Sequence, residues 1–384
     1  MLKKYCPRPI LPNLTRLVWD DHQLVRYLSL ITQDTLVALK CLVEDEEELH
    51  IVLRCIETSS PHLRELTIEA DELEMPSELD ESAAHAITSL NYLTSLTYNN
   101  SNLSQGVVLD LSRNPRLSCI SLGLGEWNQS APLSPSWGGF PALAELALCF
   151  ARDIDDFACA ATFVHHLNGA CLTDLRVHLL PPAHAGEFGQ LMSALRNLAR
   201  LQKCQISFGH SVLWGDVVLS GVALAPLHVL ADMRIFWLQH APITFEPDAT
   251  RALARAWTHL ESLEFDSSAQ HHSHLRLDDL AIFAEHCPML RILALQVAPI
   301  TGDWCCDLGV RTSTSSLMCL ALGKSVIDPL AATQVAAYLA KIFPVAFVRR
   351  YTWGDGSGAV AVIERVNVLK RALVPQGMAS IAES

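Results

Sequence analysis

The stretch Leu63-Arg64-Glu65-Leu66-Thr67-Ile68 decides the fold. It reads apolar, two residues, apolar, one residue, apolar. Its second half alternates apolar and polar side chains, which is the pattern of a half-buried strand. The phrase that contains it, Ser60–Glu69 (SPHLRELTIE), leads in through Pro61. Proline suits a strand start because it fixes φ and no ladder donor is needed there.

One such phrase is weak evidence in a chain with 61 leucines among 384 residues, but this one recurs. It appears as Leu14-Leu17-Trp19, Leu36-Leu39-Cys41, Leu63-Leu66-Ile68, Leu93-Leu96-Tyr98, Leu117-Ile120-Leu122 and Leu143-Leu146-Leu148. It continues as Leu172-Leu175-Val177, Leu201-Cys204-Ile206, Leu230-Met233-Ile235, Leu260-Leu263-Phe265, Leu290-Leu293-Leu295 and Leu317-Leu320-Leu322. The twelve matches lie 22 to 30 residues apart. A fixed period of that length marks a repeat architecture.

Helical patterns fill the intervals. Glu46–Thr58 carries Leu49, Val52, Leu53 and Ile56 at helical spacing, and Asp153–Leu167 opens on acids, which favour a helix N-terminus. Gly186–Leu198, Pro247–Leu260, Leu277–His286 and Pro329–Ile342 read the same way, with Asp328 as N-cap and Pro329 at the first helical position. The unit is strand, loop, helix, loop. An eight-fold barrel would need strands buried on both faces. Here each strand has a polar side, as at Lys40, Glu65, Ser95 and Lys203, and the units exceed eight. The sequence therefore predicts an α/β fold: an open, curved solenoid of about 12 strand–helix units, with a parallel sheet on its concave face.

At this point the chain resembles the leucine-rich-repeat family in its long, ribonuclease-inhibitor-like α/β form. The phrases LPNLTRLVWDD, SPHLRELTIE, HCPMLRILAL and SSLMCLALGK are similar to the repeat regions of fungal F-box proteins. The resemblance spans roughly Pro12 to Phe343. It implies a substrate-recognition subunit of a cullin-type ubiquitin ligase, with the repeats holding the target. The F-box that would hold the adaptor is a helical module normally placed before the repeats. About eleven residues precede the first repeat, so adaptor binding is carried over to no residue. The usual Asn or Cys eight positions after the first leucine is also replaced, by residues such as His22, Glu44, Ala151, Leu238 and Ser325. The convex-side turns must be satisfied in other ways.

The expected organisation is a stub at 1–11, repeats at 12–343, a cap at 344–374 and a disordered tail at 375–384. Ala359–Leu373 reads as a capping helix or an extra strand. Acidic Glu44–Glu48 is placed to protect the first turns.

Composition narrows the function. Half the residues are hydrophobic, 18% are charged and mean hydropathy is +0.23, which excludes a mainly disordered chain. The longest apolar stretch, Val217–Ala231, holds Pro226 and His228 and is too short to span a bilayer. No apolar h-region follows Lys3 and Lys4, so the start does not read as a signal peptide. Twelve cysteines are then expected as reduced thiols of a cytoplasmic or nuclear protein. Net charge is −13, most of it in the first hundred residues, and no basic stripe appears. Nucleic acid and membrane are therefore not expected partners.

Chemical motifs are sparse. His271, His272 and His274 stand in a polar loop, one repeat before Cys305 and Cys306, without the spacing of a zinc site. GDGSG at Gly354–Gly358 reads as a turn. Neither cofactor nor metal is expected, and the chain reads as non-catalytic. The expected partner is a protein bound on the concave face. The outward strand positions richest in charge and aromatic character are Glu145, Asp174, Arg176, His178, Lys203, Gln205, Asp232, Arg234, Phe236 and Glu264. Taken singly, each reads as part of a hydrated sheet face; together they mark the middle to late repeats. Two alternatives stay open: an enzyme on a βα-repeat scaffold, and a structural scaffold with no single ligand.

Overall fold

The computed structural model describes residues 11–70, 81–103, 105–124, 137–150, 156–167, 171–182, 184–209, 217–266, 275–304, 315–323, 325–349 and 357–373. The chain forms two compact units, Met1–Leu179 and Leu180–Ser384.

The first unit alternates strands and helices along the chain: β1 (Arg16–Trp19), β2 (Ala38–Val43), α1 (Glu46–Ser59), β3 (Glu65–Ala70), α2 (Glu81–Thr88), β4 (Ser95–Leu103), α3 (Gln105–Leu111), β5 (Cys119–Leu124), β6 (Glu145–Phe150), α4 (Asp156–His165) and β7 (Asp174–Leu179). A 3-10 segment, His22–Leu30, stands where the first helix is due. The seven strands pair in chain order, each parallel to the next.

The second unit contains α5 (Ala185–Leu195), β8 (Lys203–Phe208), β9 (Leu219–Ser220), β10 (Ile235–Gln239), β11 (Ile243–Thr244), α6 (Pro247–Ala256), β12 (Ser262–Asp266), α7 (Ala281–His286), β13 (Ile292–Ala294), β14 (Cys319–Ala321), α8 (Ala332–Ile342), β15 (Phe347–Arg349) and α9 (Ser357–Leu373). Its sheet runs β8-β10-β12-β13-β14-β15, all parallel, and β9 pairs with β11 separately. The fold is thus the open α/β repeat that the sequence predicts, and neither sheet closes into a barrel.

Two backbone features recur at the majority of the strand starts. The first leucine of the repeat closes a turn: Leu63 N–H donates to the Ser60 carbonyl, Leu93 to Leu90, Leu201 to Leu198, Leu260 to Trp257 and Leu290 to Cys287. The residue after it then offers one carbonyl to two amides of the following repeat. Arg64 O accepts from Thr94 and Ser95, Ser118 O from Ala144 and Glu145, and Glu261 O from Arg291 and Ile292. That shared acceptor sets the register, so every strand presents the same face to the helices. Leu63, Leu66 and Ile68 and their counterparts are consequently buried in every repeat from the second onward. Full burial of such a side chain stabilises by about 1.5–3 kcal/mol. In β1, by contrast, Leu17 and Trp19 are only half-buried.

One repeat departs from the expected phase. Ile235 pairs with Lys203 and with Ser262, and Phe236 with Cys204 and Leu263. The repeat is therefore Met233-Phe236-Leu238, three residues later than Leu230-Met233-Ile235. The reason is a doubled turn: Leu230 N–H donates to Leu227 O, and Met233 N–H donates to Leu230 O. The segment before it, Gly221–Val229, is 3-10 rather than α, as Pro226 favours by lacking an amide donor.

The acids at Glu44–Glu48 form the start of α1. The Asp45 carboxylate accepts from Glu48 N–H, and the Glu48 carboxylate reaches back to Glu44 N–H. Asp328 caps its helix as expected, accepting from Leu330 N–H. Ser325 takes the role of the missing Asn: its hydroxyl accepts from Val297 N–H of the preceding repeat and donates to Leu322 O.

Beyond Phe343 the stretch 359–373 takes the helical alternative, within α9, and a further parallel strand that the sequence reading did not mark, β15, precedes it. Ile363, Val366, Asn367 and Lys370 form the buried stripe of that helix. The Asn367 amide accepts from Val348 N–H and donates to Val348 O, satisfying the edge of the last strand as another strand would. Lys370 Nζ donates to Pro344 O and to Ala346 O; Ala346 corresponds to the shared acceptor of earlier repeats. Side chains of α9 therefore finish a ladder that has no further strand among the described residues, and they cover an edge otherwise open to pairing.

Burial lowers the Lys370 ammonium from 10.5 to about 8, with repulsion from Arg371 adding to it. Between about pH 8 and pH 10.5 the unfolded chain then binds a proton that the folded chain does not, so stability rises with pH across that window. We expect the urea midpoint to rise from pH 7.5 to pH 9.5 in the wild type and to lose this rise in Lys370→Met. Asn367→Leu leaves the Val348 amide and carbonyl buried and unpaired. It is expected to cost about 2–4 kcal/mol in urea unfolding and to expose α9 to limited proteolysis.

Candidate functional site

The parallel register lines up the side chains that point away from the helices. In the first unit one row runs Arg16, Ala38, Glu65, Ser95, Cys119, Glu145, Asp174, and the next runs Val18, Lys40, Thr67, Thr97, Ser121, Ala147, Arg176. In the second unit the rows are Lys203, Ile235, Ser262, Ile292, Cys319, Phe347 and Gln205, Trp237, Glu264, Ala294, Ala321, Arg349.

In the first unit the rows are stitched by ion pairs. Arg16 reaches across Ala38 to Glu65 at 2.9 Å, and Lys40 meets Glu69 at 2.8 Å. Both pairs are solvent-exposed, so screening by water leaves each with little net effect on stability. At the other end Asp174 is buried beneath the exposed Arg176, 3.5 Å away. Glu145 is exposed and accepts from the Cys119 thiol at 3.9 Å. Burial, then the Glu145 charge, pushes that thiol up against the lowering pull of Ser95 and Arg176. His178 is exposed on the same strand.

In the second unit the central feature is Trp237. Its indole N–H donates to Ser262 Oγ at 3.0 Å, and that hydroxyl donates to a Glu264 carboxylate oxygen at 3.1 Å. The half-buried indole is thereby tied through Ser262 to a carboxylate that is itself almost fully buried. Beside it Gln205 donates to Gln239 at 3.3 Å, and Lys203 is exposed one row away. Cys319 lies close enough to feel both Arg349 and Glu264, and burial pushes its thiol up.

Of the sequence-derived residues, Glu145, Asp174, Arg176 and His178 stand together in the first unit. Lys203, Gln205 and Glu264 stand together in the second. Asp232 lies in the turn before β10, and Arg234 sits at the strand start, paired with Glu261 at 3.3 Å. Phe236 requires correction. It does not face outward but is fully buried, packed on Trp257 and Phe265 with ring centroids 5.2 and 5.8 Å apart. The three-residue slip of its repeat moves the outward positions to Ile235, Trp237 and Gln239. Sequence reading missed Trp237 for that reason. In Met233-Arg-Ile-Phe-Trp-Leu238 both phases place an apolar residue at each required position, and the interval from Leu201, 29 residues to Leu230 against 32 to Met233, favours the wrong one.

His271, His272, His274, Cys305 and Cys306 lie outside the described residues, as do Gly354 to Gly356; Ser357 and Gly358 open α9. Among the described residues no group of His, Cys, Asp or Glu is arranged to hold a metal ion. None of the described helices is long and apolar enough to cross a membrane.

No family model matches the chain, and no curated protein does. Among solved structures it is similar to a Bacteroides fragilis protein determined by structural genomics, at 14% identity and a TM-score of 0.34, over 61% of this chain and 70% of that one.

Cys41 and Cys287 are inward-facing, and burial pushes both thiols up to about 12. At pH 8 their thiolate fraction is then about a thousandth of that of an ordinary exposed cysteine. Iodoacetamide labelling read by peptide mass spectrometry is expected to spare both in the native chain and to modify both in urea.

Proposed function

We propose that the chain is a non-catalytic protein-binding module that takes a protein partner on the outward strand face, with Trp237 as its main anchor. The observation that carries this reading is the fixed indole. A tryptophan half-open to solvent, locked by Ser262 and Glu264, presents a large amphipathic surface that loses little entropy on binding. Trp and Arg dominate the energetics of protein interfaces. The first unit carries a candidate anchor of its own, Arg176, its guanidinium exposed above Asp174 on that unit's strand face. A small-molecule site would instead gather polar groups in an enclosed cleft; the two rows are spread along a surface.

The resemblance of the repeats to those of fungal F-box proteins supports a narrower form of the proposal. In it the module selects targets for a cullin-type ubiquitin ligase in the cytoplasm or nucleus. That form is tested by whether the full-length protein co-purifies with a cullin complex.

For the module itself, partners captured by the tagged wild-type chain are to be compared with those of Trp237→Ala, Arg176→Ala and Arg234→Ala. The first is expected to weaken capture by at least about tenfold, a loss of 1.4 kcal/mol or more. Arg176→Ala is expected to weaken it less, and Arg234→Ala least, because Arg234 sits at the strand start with Glu261. Unchanged capture by Trp237→Ala, with an unchanged circular dichroism spectrum, would falsify the assignment.

A further inference from the structure

The helix side of the second unit carries a surface that target binding on the strand face does not use. The 3-10 segment Gly221–Val229 has no charged residue and is apolar on almost every side. Leu224 and Leu227 fill its inner face, but Val222 and Val229 remain 58% and 57% exposed, with Ala225 exposed between them. A surface helix in a globular unit ordinarily turns a polar face to solvent. This one turns valines.

The strip lies between two helices that pack on either side of it, α5 and α6. Exposed cations lie on or just after these helices. Arg196 and Arg200 follow α5, and Arg251 and Arg255 lie on α6. The acids of those helices lie at the Val222 end of the strip: Glu187 and Asp248 sit in the first turns, and the Glu246 carboxylate before α6 accepts from the Ser220 hydroxyl that opens the strip. Arg251 is paired with Asp248 at 3.2 Å. Among the described residues, Arg196, Arg200 and Arg255 have no carboxylate partner. In a chain of net charge −13, this gathers cations toward the Val229 end of the strip, where the Trp257 indole after α6 donates to Leu227 O.

We propose that this strip docks an acidic amphipathic helix of a partner protein, with apolar side chains on Val222, Ala225 and Val229 and carboxylates on those arginines. Eight residues of 3-10 helix span about 16 Å, the length of roughly eleven residues of α-helix. That matches helix-in-groove recognition, in which residues at i, i+3, i+4 and i+7 seat between two rims. A membrane surface fits less well. Interfacial membrane helices bring Trp, Phe or Leu together with lysines, whereas the exposed apolar groups here are two valines and an alanine.

The test uses the full chain and two 16-residue helical peptides. One has leucines at every third or fourth position and glutamate elsewhere; the other has lysine in place of each glutamate. Fluorescence anisotropy is expected to show the acidic peptide binding, with an affinity that falls as salt rises. The lysine peptide is expected not to bind. Val229→Asp and Arg255→Glu are each expected to weaken the acidic peptide by about tenfold. Trp237→Ala, on the other side of the sheet, is expected to leave it unchanged, which separates this proposal from the strand-face reading. The double variant Arg196→Glu/Arg255→Glu is expected to gain affinity for the lysine peptide, a result that misfolding does not produce. Four outcomes overturn the proposal: no binding of the acidic peptide, equal binding of both peptides, indifference to the strip variants, or binding only to vesicles containing a quarter phosphatidylserine. Concentration-dependent self-association abolished by Val229→Asp, with no peptide binding, overturns it in favour of a second copy of this chain.

Discussion

Repeat after repeat hands the next one a single carbonyl, and within each unit that oxygen typically accepts two backbone amides, as at Arg64, Ser118, Gln202 and Glu261. Everything else in the architecture depends on this contact. It fixes where a strand begins, hence which of its side chains point to the helices and which to solvent. A slip of one residue would turn every leucine outward. The leucine just before the carbonyl closes the preceding turn and is itself buried, so apolar burial and backbone pairing act on the same few residues. Neither alone would set the register: burial is non-directional, and an amide ladder by itself accepts any side chain.

A chain built this way needs an answer at its last described strand, where the handed-over oxygen has no recipient. The answer lies in α9, where the Asn367 amide occupies both edge groups of Val348 and the Lys370 ammonium takes Ala346 O. The cost is a cation held among apolar neighbours, visible in its lowered proton affinity. Burying a charge is tolerable only where its donors are used, and here two carbonyls use them.

The same register places the candidate binding residues. Trp237 stands outward because Phe236 and Leu238 stand inward, and Ser262 and Glu264 come beside it because β12 follows with no offset. The phase slip in that repeat therefore has a functional consequence. It replaces the expected outward phenylalanine with a tryptophan that has a hydrogen-bond donor to fix. The apolar 3-10 segment behind it, with Pro226, is the local reason for the slip, and it leaves valines exposed on the opposite side.

The sequence by itself determined the repeat, its period, the parallel α/β class and the inward leucines, because each rests on local alternation that any strand must obey. It also placed Glu145, Asp174, Arg176, Lys203, Gln205 and Glu264 on the outward face. Tertiary structure decided what local pattern left degenerate. Two phases of Leu230–Leu238 satisfy the same apolar spacing, and only pairing with Lys203 and Ser262 selects one of them. Nor could alternation foretell that Asn367 and Lys370 serve as the final strand's partners. Their role comes from groups some twenty residues earlier in the chain that meet them only when α9 folds back over β15.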